Sequence, residues 1–131
     1  MSKIETELKY TSDHEWIKVV SPTEALVGIT DFAQGELGEL VYIEVNTVGK
    51  TLKKGDIFGT VEAVKTTSDL FLPVNGKILE FNDAISEKGG DNPGLINEDP
   101  YDKGWIVRLE MTDPSDVDDL LSSEAYASLL H

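Results

Sequence analysis

One lysine could carry chemistry because of its place between two apolar runs. Lys65 is the only basic residue in a polar segment flanked by the strand-like runs Ile57–Val61 and Leu70–Val74. Two such runs around a short polar segment predict a hairpin with Lys65 at or near its exposed tip. A primary amine at a loop tip is accessible to a modifying enzyme. An ordinary solvated lysine fits the same position, so the pattern alone leaves both interpretations open.

The residues around this lysine favour a modified side chain. Glu62 lies three residues before Lys65, and Ser68 and Asp69 follow it by three and four residues. The segment Pro73–Gly76 closes the second run with residues that end strands.

Composition excludes several function classes. The chain has 131 residues, enough for one domain with its own core, and its 40% hydrophobic and 27% charged residues are typical of soluble globular proteins. A net charge of −14 disfavours nucleic acid and anionic membranes and fits docking onto basic surfaces. No apolar run approaches the length of a membrane span. We therefore expect partners that are proteins.

Catalytic and metal-binding patterns are missing from the sequence. Cysteine is absent, which excludes disulfides, thiolate catalysis and cysteine-ligated metals. His14 and Glu15 are followed by Lys18, where a zinc protease needs its second histidine. The segment Asp116–Asp119 lacks the ligand spacing of an EF-hand loop. The sequence therefore predicts a protein that is not an enzyme and holds no metal.

The first residues favour a protein that stays where it is made. Residues 1–7 have neither an apolar signal core nor an arginine-rich presequence. We expect a bacterial cytoplasmic protein, or one of the mitochondrial matrix if a presequence was removed.

Apolar alternation and turn residues predict a mainly β chain. Besides the two runs around Lys65 and a short segment at Thr51–Leu52, strands are predicted at Trp16–Val20, Ala25–Ile29, Leu40–Val45, Lys77–Asn82 and Trp105–Met111. Thr30 or Asp31 is expected to cap a short helix through residues 32–34. A C-terminal helical segment is expected at about 114–130, opening at Asp113–Ser115 and restarting at Ser122–Glu124. Residues 89–94 are expected to form a loop.

The Lys65 segment resembles the lipoyl-attachment segment of the H-protein family of the glycine cleavage system. The family pattern is roughly Glu-Ser-Val-Lys-Ala-x-Ser-Asp followed by Pro-x-x-Gly. The resemblance extends from about Tyr10 to about Leu130, and further blocks match in order: Lys9–Trp16, Gly28–Gln34, Leu37–Val41, Pro93–Asn97 and Pro100–Trp105. Thr66 stands where the family commonly has alanine, and Asp13 where it often has serine.

The resemblance implies a fold. It is a flattened barrel-sandwich hybrid of two antiparallel sheets, similar to lipoyl and biotinyl domains, with a short helix in the N-terminal third and a C-terminal helix. It also implies that residues 1–131 form a single lipoyl-carrier domain, monomeric and without catalytic activity of its own.

The resemblance further implies a function. Lipoate is attached to Lys65 as N6-lipoyllysine by a lipoate-attaching enzyme. The lipoyl arm takes an aminomethyl group from the pyridoxal-phosphate glycine decarboxylase to the tetrahydrofolate-dependent aminomethyltransferase. Dihydrolipoyl dehydrogenase then reoxidises the arm.

The same resemblance implies where the loaded arm docks. Glu15 and Asp69 match polar partners of the terminal amine, and Ile29 and Leu37 match the apolar walls of its cleft. Ile29 and Leu37 also fit a plain core, and Glu15 fits a surface carboxylate at a strand start. Glu62 and Asp69 fit recognition by the lipoate-attaching enzyme equally well.

Three other kinds of carrier protein share parts of this sequence pattern. A biotin carrier usually has methionines on both sides of its lysine, where this chain has Val64 and Thr66. A lipoyl domain of a 2-oxoacid dehydrogenase usually has an Ala/Pro-rich linker, which this chain lacks. A lipoate-relay protein, which donates lipoyl groups to other carriers, would use the same residues, so that alternative stays open.

Overall fold

Two antiparallel sheets form the framework in the computed structural model, which describes residues 4–130. The larger sheet has six strands in the order β1-β2-β3-β9-β8-β5, and the smaller has three in the order β4-β6-β7. The strands are β1 Lys9–Tyr10, β2 Glu15–Val19, β3 Glu24–Ile29, β4 Leu40–Glu44, β5 Thr51–Leu52, β6 Ile57–Ala63, β7 Thr67–Phe71, β8 Gly76–Phe81 and β9 Val107–Met111.

Short helices connect the strands and follow the last one. They are α1 Asp31–Leu37, α2 Gly94–Glu98 and α3 Ser123–Leu129, with a 3₁₀ helix at Pro114–Asp119 between β9 and α3. Hydroxyl oxygens of Thr30 and Ser122 accept hydrogen bonds from backbone N–H groups in the first turns of α1 and α3. Gly38 ends α1 with φ of 80°, a left-handed conformation that favours glycine. None of the helices within residues 4–130 is long and apolar enough to cross a membrane.

The two sheets share one hydrophobic core. Its fully buried members come from both sheets and include Val27, Phe58, Val61, Ile78 and Leu109. Alternating burial along β6 and β9 directs every second side chain into this core. A second cluster lies beside it and is mainly aromatic: Leu8, Tyr10, Trp16, Tyr101 and Tyr126.

The predicted fold class is confirmed: the chain is mainly β, with two antiparallel sheets and few short helices. Of the two proposed caps for the first helix, Thr30 is the residue that caps it. The helix runs beyond residue 34 to Leu37, because Gly35 is tolerated inside it.

Several predicted boundaries were wrong. β7 ends at Phe71 rather than Val74, and β9 begins at Val107 rather than Trp105. In the C-terminal segment the expected restart at Ser122–Glu124 is confirmed, since Leu120 has extended backbone angles and Ser122 caps a new helix, whereas the first helix is of the 3₁₀ type. The predicted loop at 89–94 ends one residue early, because Gly94 opens α2.

Candidate functional site

Lys65 lies at the tip of the β6–β7 hairpin, as the sequence predicts. The last paired residues of the two strands are Glu62 and Thr67, and residues 64–66 connect the strands. Within the described chain, residues 64–69 are all exposed, and 68% of Val64 is accessible to solvent. The Lys65 side chain is therefore open to a large partner.

The hairpin below this tip is held on both sides. β6 is the central strand of the smaller sheet and pairs with β4 and β7. Val61 of β6 and Leu70 of β7 are buried in the shared core. At the tip, the N–H of Ala63 donates to the carbonyl of Thr66 over 2.8 Å. An exposed amine thus stands on a stem fixed by sheet pairing and core packing, which is the arrangement that a precise attachment site needs.

Two acidic residues predicted to serve recognition flank the lysine on the same hairpin. Glu62 pairs with Thr67 across the strands, and Asp69 pairs with Thr60. Both carboxylates are exposed. They contribute negative charge to the surface from which Lys65 projects.

Glu15 lies at the opposite end of β7. Its Oε2 accepts a hydrogen bond of 3.1 Å from the backbone N–H of Phe71, and its Oε1 accepts one of 3.1 Å from the Thr11 hydroxyl. Only 2% of Glu15 is exposed, so the alternative of a surface carboxylate is wrong. Burial, with a smaller contribution from the charge of Asp13, raises the pKa of Glu15 to about 8, against the hydrogen bonds that lower it.

A cleft of about 290 Å³ opens beside Glu15. Its lining combines apolar side chains with carboxylates and a lysine. Sequence reasoning missed most of the lining, because its residues come from distant segments: Tyr10, Thr11, Ser12, Asp13, Lys54, Gly55, Leu72, Pro73, Asp119, Leu120, Leu121 and Leu129. The cleft can accept a flexible chain that ends in a polar group.

The structure brings some of the predicted docking residues together. Ile29 is the cross-strand neighbour of Glu15 and is 97% buried in the core. Asp69 lies two residues before Phe71, so the side chains of Asp69 and Phe71 project from the same face of β7. Leu37, the last residue of α1, is half-buried against the same core. Ile29 therefore has the surroundings of a core residue, whereas Asp69 faces solvent.

β7 runs from the hairpin tip that carries Lys65 to Phe71, whose N–H donates to Glu15. Four residue steps separate Thr67 from Phe71, which amounts to about 13 Å at the rise of a β-strand. The attachment position and the buried carboxyl therefore lie at opposite ends of one strand.

Comparison with known proteins identifies the family. The family model described as glycine cleavage H-protein matches residues 8–131. The glycine cleavage system H protein of Bacteroides thetaiotaomicron is 51% identical over 124 residues, covering 95% of this chain and 94% of that protein. The protein of the same name from Staphylococcus haemolyticus is 45% identical over 127 residues, covering 97% of each chain.

A solved structure agrees with these relatives. The crystal structure of a glycine cleavage system H protein from Mycobacterium marinum is 38% identical, with a TM-score of 0.83 over 95% of this chain and 97% of that one. These matches favour a glycine cleavage carrier over the biotin-carrier and lipoate-relay alternatives. The chain therefore belongs to the glycine cleavage H-protein family, the lipoyl carriers of the glycine cleavage system.

Proposed function

We propose that Lys65 is the residue of this chain that carries lipoate, as N6-lipoyllysine. The observation that supports this most directly is an exposed lysine at the tip of a hairpin whose two strands are fixed in the smaller sheet. Bound lipoate would supply a dithiolane whose S–S bond opens when it takes up the aminomethyl group, so that a dithiol remains once that group has been passed on. The polypeptide supplies the amine, its presentation and a place to shelter the end of the arm.

The dimensions of the fold suit an arm of this kind. About twelve bonds separate the lysine Cα from the first sulfur of a lipoyl amide, and an extended chain advances about 1.2 Å per bond, giving roughly 14 Å. That length matches the run of about 13 Å along β7 from Thr67 to Phe71. The arm is therefore about as long as β7, whose last residue donates its N–H to Glu15 beside the cleft.

We propose that Glu15 receives the terminal amine of the loaded arm, with Asp69 as a second polar partner. A carboxyl group with a pKa of about 8 is mostly protonated at neutral pH. A cation beside it would lower this pKa and favour the carboxylate. Glu15 would then release its proton as the amine arrives and form a buried ion pair with it. Ile29 and Leu37 are kept as proposed apolar partners of the docked arm, whereas the apolar lining of this cleft comes from Leu72, Pro73, Leu120, Leu121 and Leu129.

The proposed partners follow from the carrier role within the glycine cleavage system. They are the pyridoxal-phosphate glycine decarboxylase, the tetrahydrofolate-dependent aminomethyltransferase, dihydrolipoyl dehydrogenase and a lipoate-attaching enzyme that reads Glu62 and Asp69. Tethering keeps the transferred group at high effective concentration near each partner. We propose that the carrier has no catalytic activity of its own and acts as a cytoplasmic monomer. The core shared by both sheets supports a single domain over residues 1–131.

Mass spectrometry of modified protein tests the attachment site. Wild type, Lys65→Arg and Lys54→Arg are each incubated with lipoate, ATP and a lipoate–protein ligase. Lys54 is the matched control, because it is also an exposed turn lysine but lies at the other end of β6. Wild type and Lys54→Arg are expected to gain one lipoyl amide, and Lys65→Arg none. A lipoyl amide on Lys65→Arg, or none on wild type, would contradict the proposal.

A further inference from the structure

Asn97 of α2 makes three hydrogen bonds that join α2 to α1 and β4. Its Nδ2 donates to the side-chain Oε1 of Gln34 and to the carbonyl of Gly38, each over 2.9 Å. Its Oδ1 accepts from the N–H of Leu40 over 3.0 Å. Because a backbone N–H needs an acceptor, the bond from Leu40 fixes which way the amide points. One side chain therefore determines the path of the chain from the end of α1 into β4.

The residue between these two contacts meets the tip of the hairpin. Glu39 lies between Gly38 and Leu40, and its carbonyl accepts a hydrogen bond of 3.1 Å from the N–H of Val64. Val64 directly precedes Lys65. Among the hydrogen bonds of the described residues, this one ties residues 64–66 to a part of the protein outside their own hairpin. The orientation of the tip thus depends on where Glu39 is held.

We propose that Asn97 is a positioning residue for Lys65: it fixes Gly38 and Leu40, and Glu39 between them then holds the tip through Val64. This inference rests on the proposed function, since it concerns how the attachment lysine is presented. A tip already in its bound conformation costs less to order when an enzyme grips it. Loss of the Asn97 contacts would make the tip more mobile and raise the KM for the carrier in lipoate attachment, with a smaller change in kcat.

Asn82 provides a matched control for variants of Asn97. Its side chain, like that of Asn97, makes three hydrogen bonds, and all three are to backbone groups. Its partners are Lys103, Trp105 and Ala84, none of which belongs to the β6–β7 hairpin. Asn82→Ala should therefore destabilise the fold without loosening the tip.

Two variants of Asn97 separate its contacts. Asn97→Ala removes all three hydrogen bonds. Asn97→Asp keeps an acceptor for the N–H of Leu40 but directs a carboxylate at the carbonyl of Gly38 and at Gln34. A third variant, Glu39→Ala, retains the backbone carbonyl that holds Val64 and should leave that bond intact.

Amide hydrogen exchange of the unmodified protein is the first measurement, because it does not depend on lipoate. Asn97→Ala and Asn97→Asp are expected to speed exchange at Val64 by about fivefold or more, since a lost hydrogen bond raises the open population by about that factor. Asn82→Ala and Glu39→Ala should leave exchange at Val64 within about twofold of wild type. Unchanged exchange at Val64 in folded Asn97→Ala would overturn the proposal.

Steady-state kinetics of a lipoate–protein ligase are the second measurement. With lipoate and ATP saturating, the KM for Asn97→Ala is expected to rise by about fivefold, a change that Asn82→Ala should not share. An equal rise in both variants would mean that Asn97 acts only through overall stability and would overturn the positioning role. If wild type gains no lipoyl group at Lys65, the proposed function fails, while exchange at Val64 still decides whether Asn97 holds the tip.

Discussion

The Glu15 carboxylate accepts a hydrogen bond of 3.1 Å from the backbone N–H of Phe71 and so joins the two sheets. Glu15 is the first residue of β2 in the larger sheet, and Phe71 is the last residue of β7 in the smaller one. β7 ends at Phe71, whose N–H donates to this carboxyl group. The same side chain therefore completes the hairpin that presents Lys65 and forms one end of the cleft.

Replacement of Glu15 by glutamine should remove a pH dependence of folding. The pKa of Glu15 rises from an ordinary 4.5 to about 8 on burial, so between these values the folded state binds more protons than the unfolded state. The free energy of unfolding contributed by Glu15 is thus largest below pH 4.5 and is lost as pH rises through 8. As pH rises through this range, the free energy of unfolding of wild type should fall by roughly 1 kcal/mol per pH unit relative to that of Glu15→Gln.

Urea unfolding of both proteins at pH 5, 6.5 and 8 measures this difference. Glutamine is the suitable replacement because its amide oxygen can still accept from the N–H of Phe71. Parallel pH profiles for the two proteins would refute the raised pKa of Glu15.

Asp13 should raise the pKa of its neighbour. Burial is the main cause of the raised pKa of Glu15, and the charge of Asp13 adds to it. Asp13→Ser is expected to lower the pKa of Glu15 below its wild-type value. The ¹³C shift of the Glu15 carboxyl carbon, followed by NMR against pH, reports this directly. Asp119→Ser is the control, because Asp119 lines the same cleft without contributing to that shift. A larger effect of Asp119→Ser would contradict this assignment.

Local pattern predicted the strands and the hairpin tip, because alternation and turn residues act over a few positions. Thr30 was a recognisable cap since its role depends on the next three residues. Lys65 was found for the same reason: its exposure follows from its place between two strands. The resemblance then supplied the chemistry, which pattern alone left open.

Contacts between distant segments could not be predicted. Asn97 and Glu39 belong to different elements, and nothing in their local sequences states that they are joined through Gly38 and Leu40. The burial of Glu15 depends equally on Phe71, 56 residues away. α2 was missed because its five residues are too few to show the recurrence of apolar residues that indicates a helix. The contacts of Asn97 and the burial of Glu15 therefore follow from packing between distant segments, which sequence periodicity does not reveal.

Alanine at Gly59 should weaken the smaller sheet. A Cβ at this position of β6 would lie 2.6 Å from the carbonyl oxygen of Glu44 in β4, closer than packing allows. Since that oxygen belongs to the backbone, the strands must move apart, and Gly59→Ala should cost on the order of 2 kcal/mol. Gly35→Ala is the control, because no atom lies within 4 Å of a Cβ there.

The control should change stability in the opposite direction. Gly35 lies inside α1, where alanine is favoured over glycine by about 0.5–1 kcal/mol. Chemical denaturation of both variants measures the two effects. A Gly59→Ala protein as stable as wild type would show that β4 and β6 can separate freely at this point.

Phenylalanine at Tyr126 should loosen the start of α1 from the other end of the chain. The buried Tyr126 hydroxyl lies 2.7 Å from the Thr30 hydroxyl and 2.8 Å from His14 Nδ1, while its ring stacks on Tyr10 at 4.6 Å. Tyr126→Phe keeps the stacked ring but leaves the buried Thr30 hydroxyl and the half-buried His14 Nδ1 without this partner, at a cost of about 1–3 kcal/mol.

Tyr10→Phe is the matched control because it keeps the same stack and removes one hydrogen bond, to the carbonyl of Glu5. Guanidinium unfolding should therefore rank Tyr126→Phe below Tyr10→Phe in stability. Hydrogen exchange should also quicken at Ala33, whose N–H is held by Thr30, only in Tyr126→Phe. Equal exchange at Ala33 in both variants would mean that α3 stabilises the fold without acting on the cap of α1.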